Sequence, residues 1–242
     1  VILDRASYPT EAIDRNSRTF RPLGLGYSAL GALLMSQGLP YDSDEGRCVC
    51  AEITSLMGAA AYRQSQRITD VKGCYQGALI GDNGDAMTRV LNMHAAAAEG
   101  LASASLWREV AEGPTPRNAQ ATLLAPTGTI SFGMDCPTTG IEPDFALVKH
   151  KTLAGGGYMR YVNGAVTDAL RTLGYSSSDI AAIVAYVDGH EKIEGAPGLK
   201  PEHLPVFDCA VPCAQNTASP GVRFLSPMSH LRMMAAAQPF LS

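Results

Sequence analysis

Apolar positions recur at helical spacing from Gly24 to Gln37 and stop at Gly38, which predicts a helix ending on a glycine. Tyr41-Asp-Ser-Asp-Glu then supplies N-cap chemistry, and acids in a first turn suit the helix dipole. The following helix is expected from about Ser43 to Gln66, rich enough in Ala, Gly and Cys to pack closely against a neighbour. Asp82-Asn-Gly-Asp reads as a turn and cap opening a helix over 85–99, and Leu101–Glu112 as a shorter helix broken by Gly113-Pro-Thr-Pro. The run Ala121-Thr-Leu-Leu-Ala125 predicts a strand covered on both faces, stopped by Pro126, which has no N–H for a ladder.

Gly155-Gly-Gly reads as a flexible break, with helices expected over Tyr158–Leu173 and Ser177–Val187, the second capped by Ser177-Ser-Asp-Ile. Residues 158–200 are expected to form a small helical insertion on the surface, and the polar, Pro- and Gly-rich stretch 190–205 a surface loop. Pro205-Val-Phe-Asp-Cys-Ala predicts a short strand, and residues 226–237 a Met- and Ala-rich helix. Helices interleaved with a few strands in strand–loop–helix order favour an α/β class.

Composition adds bounds rather than chemistry. The 242 residues suffice for one large domain or two small ones. A hydrophobic share of 46% with a net charge of −4 is ordinary for a soluble globular protein and gives no support for a nucleic-acid or membrane-surface partner. No apolar run approaches the roughly 18 residues a membrane span needs. Val1-Ile-Leu-Asp-Arg lacks a signal-peptide pattern and a starting Met, which leaves a processed product, an expression product or a piece of something longer open.

The chemistry concentrates at Leu124-Ala-Pro-Thr-Gly-Thr-Ile-Ser. A strand ending in small hydroxyl residues and a glycine is how an anion-binding loop looks. Gly128 lets backbone approach a ligand, and the hydroxyls of Thr127, Thr129 and Ser131 join free backbone N–H groups to hold phosphate. Elsewhere the structural readings prevail. Cys48, Cys50, Cys74, Cys136, Cys209 and Cys213 lack metal-site spacing and read as buried thiols. Asp42, Asp44 and Glu45 read as caps rather than a metal cluster, and Met228, Met233 and Met234 as core. His150, His203 and His230 read as structural histidines, and Glu142 as a loop-orienting or capping carboxylate.

Several blocks together resemble the catalytic subunit of ribonucleotide reductase, of the adenosylcobalamin-dependent (class II) type. They are Arg21-Pro-Leu-Gly-Leu-Gly-Tyr, Gly38-Leu-Pro-Tyr-Asp-Ser, Arg117-Asn-Ala-Gln, the Pro126–Ser131 loop, Thr138-Thr-Gly-Ile-Glu-Pro, Pro201-Glu-His-Leu-Pro-Val-Phe-Asp-Cys-Ala and His230-Leu-Arg-Met-Met-Ala-Ala-Ala-Gln-Pro-Phe. The resemblance implies a ten-stranded α/β barrel of which residues 1–242 form a single partial domain, about the second half. It implies thiyl-radical reduction of a ribonucleoside di- or triphosphate, with adenosylcobalamin as radical source and a thioredoxin-type reductant, in the cytoplasm, with a homodimer left open. It assigns Pro126, Thr127, Gly128, Thr129 and Ile130 to the substrate phosphates.

The family's radical motif, Asn-x-Cys-x-Glu, does not occur here. Cys48-Val-Cys50-Ala-Glu52 is a look-alike without the Asn, on an expected helix. No catalytic residue and no metal ligand is therefore assigned, and the chain alone is expected to fold poorly and to be inactive. A class I reductase fragment and a non-catalytic phosphate-binding remnant stay open as alternatives.

Overall fold

The computed structural model describes residues 2–152 and 156–242, so Gly155 of the glycine run lies outside the described residues. In chain order the helices are α1 (Ile2–Arg5), α2 (Glu11–Phe20), α3 (Leu30–Ser36), α4 (Asp44–Lys72), α5 (Asn83–Ala97), α6 (Ala104–Glu112), α7 (Gly128–Gly133), α8 (Gly164–Thr172), α9 (Ser177–His190) and α10 (Pro227–Ala237). Strands β1 (Val148–Thr152) and β2 (Tyr158–Val162) pair antiparallel, Val148 opposite Val162. The chain divides into two compact units. One holds Val1–Gly26, Cys50–Leu124 and Ala235–Ser242; the other holds Tyr27–Val49 and Ala125–Met234.

The first unit packs around Trp107 and Tyr62, both fully buried, with Leu91, Val110 and Phe240 against them. Burial of an indole N–H requires an acceptor. Trp107 Nε1 donates to Ser55 Oγ at 2.9 Å, and Ser55 is itself 2.6 Å from Ser103 Oγ. The α2 helix opens on Thr10, whose hydroxyl accepts from the Ile13 amide, and carries an Arg18–Asp14 pair one turn apart at 2.9 Å.

The expected strand at 121–125 shrinks to a single parallel bridge, Leu25 to Thr122. Leu23 N donates to Gln120 O, Leu25 N to Ala121 O and Leu123 N to Leu25 O, but only Leu25 and Thr122 form a bridge. Its partner segment is Gly24-Leu-Gly26, with little side chain to build a ladder upon. Among the described residues no larger sheet forms, so the structure is mostly helical and the α/β expectation is met only by β1, β2 and this bridge.

The second unit buries Ala165, Val166, Ala169 and Leu170 of α8 against Ile183 and Val187 of α9, Met35 of α3, Leu147, and Phe207. The helices expected as a surface insertion thus carry much of this unit's core. The helix expected from Tyr158 starts instead at Gly164. Asn163 Oδ1 accepts from the Ala165 amide at 2.9 Å, capping α8, while the Tyr- and Val-bearing stretch before it prefers the pleated ladder. Ser176, one residue earlier than expected, caps α9. The strand expected at 205–210 is a 3-10 turn, Pro201–Phe207. Two prolines fix φ near the helical value and withhold ladder donors, and Val206 and Phe207 are buried from the turn. The helix expected at 24–37 begins only at Leu30, after Ala29 in a left-handed conformation (φ 66°). The α4 and α10 expectations hold, with α4 running on to Lys72.

Candidate functional site

The turn at Pro126–Ile130 belongs to the second unit. Thr127 adopts φ 53°, ψ 24°, a left-handed conformation that a β-branched residue adopts only under constraint. The chain then enters the single-turn helix α7. The amides of Gly128, Thr129 and Ile130 open that helix and have no acceptor one turn back. Pro126, Gly128, Thr129 and Ile130 are exposed and Thr127 is half-buried. A Cβ at Gly128 would meet nothing within 4 Å, so open space lies beside that residue.

The three hydroxyls of the loop separate in role. Thr127 Oγ1 and Ser131 Oγ lie 2.8 Å apart and both bond to Ser28 Oγ, at 3.0 and 2.6 Å. Gly140 N donates to Thr127 Oγ1 at 2.7 Å and to Ser28 Oγ at 3.1 Å. Thr127 and Ser131 therefore bond inward, and Thr129 alone of the three faces solvent. Gly140 itself has φ 47°, and a Cβ there would sit 2.6 Å from Ala125 O, so only glycine fits against the loop's entry.

Gly128, Ser131 and Phe132 border a cleft of about 780 Å³ whose other walls include Cys136, Lys149 and Cys213. Lys149 Nζ lies 3.0 Å from Asp144 Oδ1, an ion pair whose angle falls outside hydrogen-bond geometry, and also donates to Pro137 O. Asn163 Nδ2 donates to Asp144 Oδ2. Burial pushes the Asp144 carboxyl above the usual carboxylate range, against the pull of Lys149 and Asn163. Cys213, buried at the cleft wall, is held below the usual thiol value by the Cys209 thiol beside it, which is pushed up in turn.

The remaining candidates find ordinary partners. Asp42 accepts from Ser229 Oγ and Arg47, both at 2.7 Å, and the Ser229 hydroxyl leads in lowering its pKa. Arg47 also holds Asp44 at 2.6 Å, and Ser43 Oγ accepts from Gly46 N, so capping and ion pairing account for this stretch. His203 Nδ1 lies 2.7 Å from Tyr175 Oη, His150 Nε2 3.3 Å from Glu191, and His230 Nδ1 3.4 Å from Glu142. These partners come from distant sequence, which spacing along one helix could not reveal. Of the three methionines expected in the core, Met233 is buried, while Met228 is half exposed and Met234 is 37% exposed. Cys48 is exposed, against the expectation of burial; Cys50 is buried, and both lie on α4. Among the described residues no group of three His, Cys, Asp or Glu side chains converges as a metal site, and no helix is long and apolar enough to cross a membrane.

A left-handed turn at Thr127 thus leads into a short helix beside a cleft. The profile of the ribonucleotide reductase barrel domain matches residues 1–242, and the chain belongs to that family. The vitamin B12-dependent ribonucleotide reductase of Rhodopirellula baltica is 51% identical over 255 residues, covering all of this chain and 24% of that protein. The enzyme of the same name from Streptantibioticus cattleyicolor is 49% identical over 252 residues, covering 98% of the chain and 40% of that protein. The chain thus spans between a quarter and two fifths of the length of these relatives. Among solved structures, the alpha subunit of an Actinobacillus ureae class Id ribonucleotide reductase superposes with a TM-score of 0.58 over 97% of this chain and 35% of that one; at 16% identity the likeness concerns the fold alone.

Sequence reasoning missed Ser28, Gly140, Asp144 and Lys149 around the loop. Ser28 was hidden inside an expected helix; the flanking Gly24-Leu-Gly26 was the available sign that the helix starts later.

Proposed function

We propose that this chain supplies the substrate-phosphate loop of a vitamin B12-dependent ribonucleotide reductase. Pro126, Thr127, Gly128, Thr129 and Ile130 hold the phosphates of a ribonucleoside di- or triphosphate. The observation that carries this reading is the left-handed Thr127, which turns the exposed amides of Gly128, Thr129 and Ile130 toward open space. Backbone N–H groups at a helix start attract negative charge, and Thr129 adds one free hydroxyl. Residues 1–242 act as one partial domain of the α/β barrel, its second half.

The relatives' dependence on vitamin B12 supports adenosylcobalamin as the cofactor of the intact enzyme. No residue of this chain is assigned to the cofactor. On this reading the thiyl-radical cysteine and the cysteine pair that a thioredoxin-type reductant renews belong to other parts of the intact enzyme. What this chain's own residues do is bind and orient the phosphates.

Calorimetric titration with inorganic pyrophosphate tests the reading. The chain should bind it, and Gly128→Asp, an exposed change that sets a carboxylate over the amides, should abolish binding without loss of helical circular dichroism. Equal binding by both forms, or none by the unaltered chain, refutes the phosphate role.

A further inference from the structure

We infer that Ser28 is a positioning residue for the phosphate loop, acting through Thr127; this rests on the phosphate reading above. Ser28 stands 99 positions from Thr127 in the chain, yet its Oγ closes a triangle with Thr127 Oγ1 and Ser131 Oγ whose edges are 3.0, 2.6 and 2.8 Å. Three hydroxyls carry three protons, and besides the three edges the Ser28 hydroxyl has the Thr138 carbonyl within reach at 3.3 Å, so every donor has an acceptor. The lone pairs left over receive the Gly140 amide, 2.7 Å from Thr127 Oγ1 and 3.1 Å from Ser28 Oγ. Ser131 is buried, so a hydroxyl there without a partner would cost free energy.

The consequence falls on the backbone. Thr127 at φ 53° occupies a conformation that is strained for a β-branched residue and persists only where surroundings over-determine it. The ring is that surrounding. It holds the Thr127 side chain from Ser28 on one side, Ser131 one turn ahead and Gly140 behind, and so fixes the direction in which the Gly128–Ile130 amides point. Ser28 is itself fixed close to the start of α3, where Ala32 N donates to Thr138 Oγ1 at 3.1 Å and ties that helix to the same returning segment. Gly31 allows the approach, since a Cβ there would lie 2.5 Å from Glu142 O. The three hydroxyls are engaged with one another and with Thr138 O, so ligand selection belongs to the amides and to Thr129. Ser28 tunes affinity without touching the ligand.

The experiment compares the unaltered chain with Ser28→Ala and Ser28→Thr, reading pyrophosphate affinity by calorimetry and the backbone carbon shifts of Thr127 by NMR. Ser28→Ala should weaken pyrophosphate about tenfold, the scale of roughly one net hydrogen bond, and move Thr127 out of the left-handed region. Ser28→Thr, which keeps the hydroxyl, should restore both, and the urea midpoint should not track the affinities. Unchanged Thr127 shifts in Ser28→Ala, or a Ser28→Thr chain as weak as Ser28→Ala, overturn the inference. Failure of the unaltered chain to bind pyrophosphate would instead overturn the phosphate reading, while the Thr127 shifts still decide whether Ser28 holds the turn.

Discussion

His94 sits with Nδ1 2.6 Å from Pro239 O, its ring 4.9 Å from Trp107, and Nε2 buried without a hydrogen-bond partner. The carbonyl fixes the proton on Nδ1, and a second proton on Nε2 would find no acceptor. Burial accordingly lowers the His94 pKa below the ordinary histidine value. The unfolded chain then binds the proton more readily than the folded one, so stability is full above about pH 6.5 and is lost as pH falls from there toward the folded pKa. One proton limits the slope to about 1.4 kcal/mol per pH unit. Urea unfolding at pH 7.5 and 5.5 should show this loss in the unaltered chain and a flatter response in His94→Phe; equal slopes would contradict the neutral, buried assignment. At this scale the sequence was legible where chemistry is local. The turn at Pro126–Gly128 was legible because a proline, a glycine and hydroxyl residues in a row end a strand, and the structure turns there into α7. His94 and Ser28 were not, because burial by Trp107 and a bond across 99 positions are decided by tertiary packing.

The hairpin formed by β1 and β2 and the cap of α8 share one buried carboxylate. Asp144 has a side chain 1% exposed, flanked by Lys149 of β1 at 3.0 Å and by Asn163, which also caps α8. Breaking a buried pair from one side leaves a charge uncompensated, at a cost of about 3–5 kcal/mol. Lys149→Met should therefore destabilise the second unit by roughly 3 kcal/mol at pH 7. Since Asp144 already titrates above the usual carboxylate range, its folded state binds a proton more readily than its unfolded state. The variant should regain stability as pH falls from 7 toward 5, whereas Asn would be expected in place of Asp144 to remove both the cost and its pH dependence. Thermal melts of Lys149→Met and Asp144→Asn across that range check the pair, and a pH-independent loss in Lys149→Met would reject the account. Helices with a local cap or a long periodic face, α4, α5, α9 and α10, were readable in advance. The 121–125 and 205–210 strands were misread because a short apolar run only records burial. Whether it is buried by a ladder, by an isolated bridge or by a 3-10 turn depends on partners such as Gly24-Leu-Gly26 and on Pro201 and Pro205.

At the scale of the whole molecule, phosphate binding and turnover come apart. The family match over residues 1–242 and the exposed amides of the Thr127 turn support substrate holding. Radical chemistry needs a cysteine flanked as Asn-x-Cys-x-Glu by the resemblance, and the six cysteines here offer only Cys48-Val-Cys50-Ala-Glu52. That stretch lies in the second and third turns of a regular helix, with Cys50 fully buried and Thr54 Oγ1 donating to its carbonyl at 2.7 Å. A thiyl radical at that sulfur would have no substrate to reach, and abstraction from a ribose demands direct contact at near-attack distance. Cys213 at the cleft wall is a better-placed thiol, and the thiol that bears on its pKa is Cys209, itself buried. The 242-residue chain, given adenosylcobalamin, a dithiol and a ribonucleoside di- or triphosphate, should therefore form no deoxyribonucleotide while still binding pyrophosphate. Cys50→Ser and Cys213→Ser should leave pyrophosphate binding as it is. Chromatographic detection of deoxyribonucleotide from the unaltered chain, lost in either serine variant, would place the radical site within these residues after all.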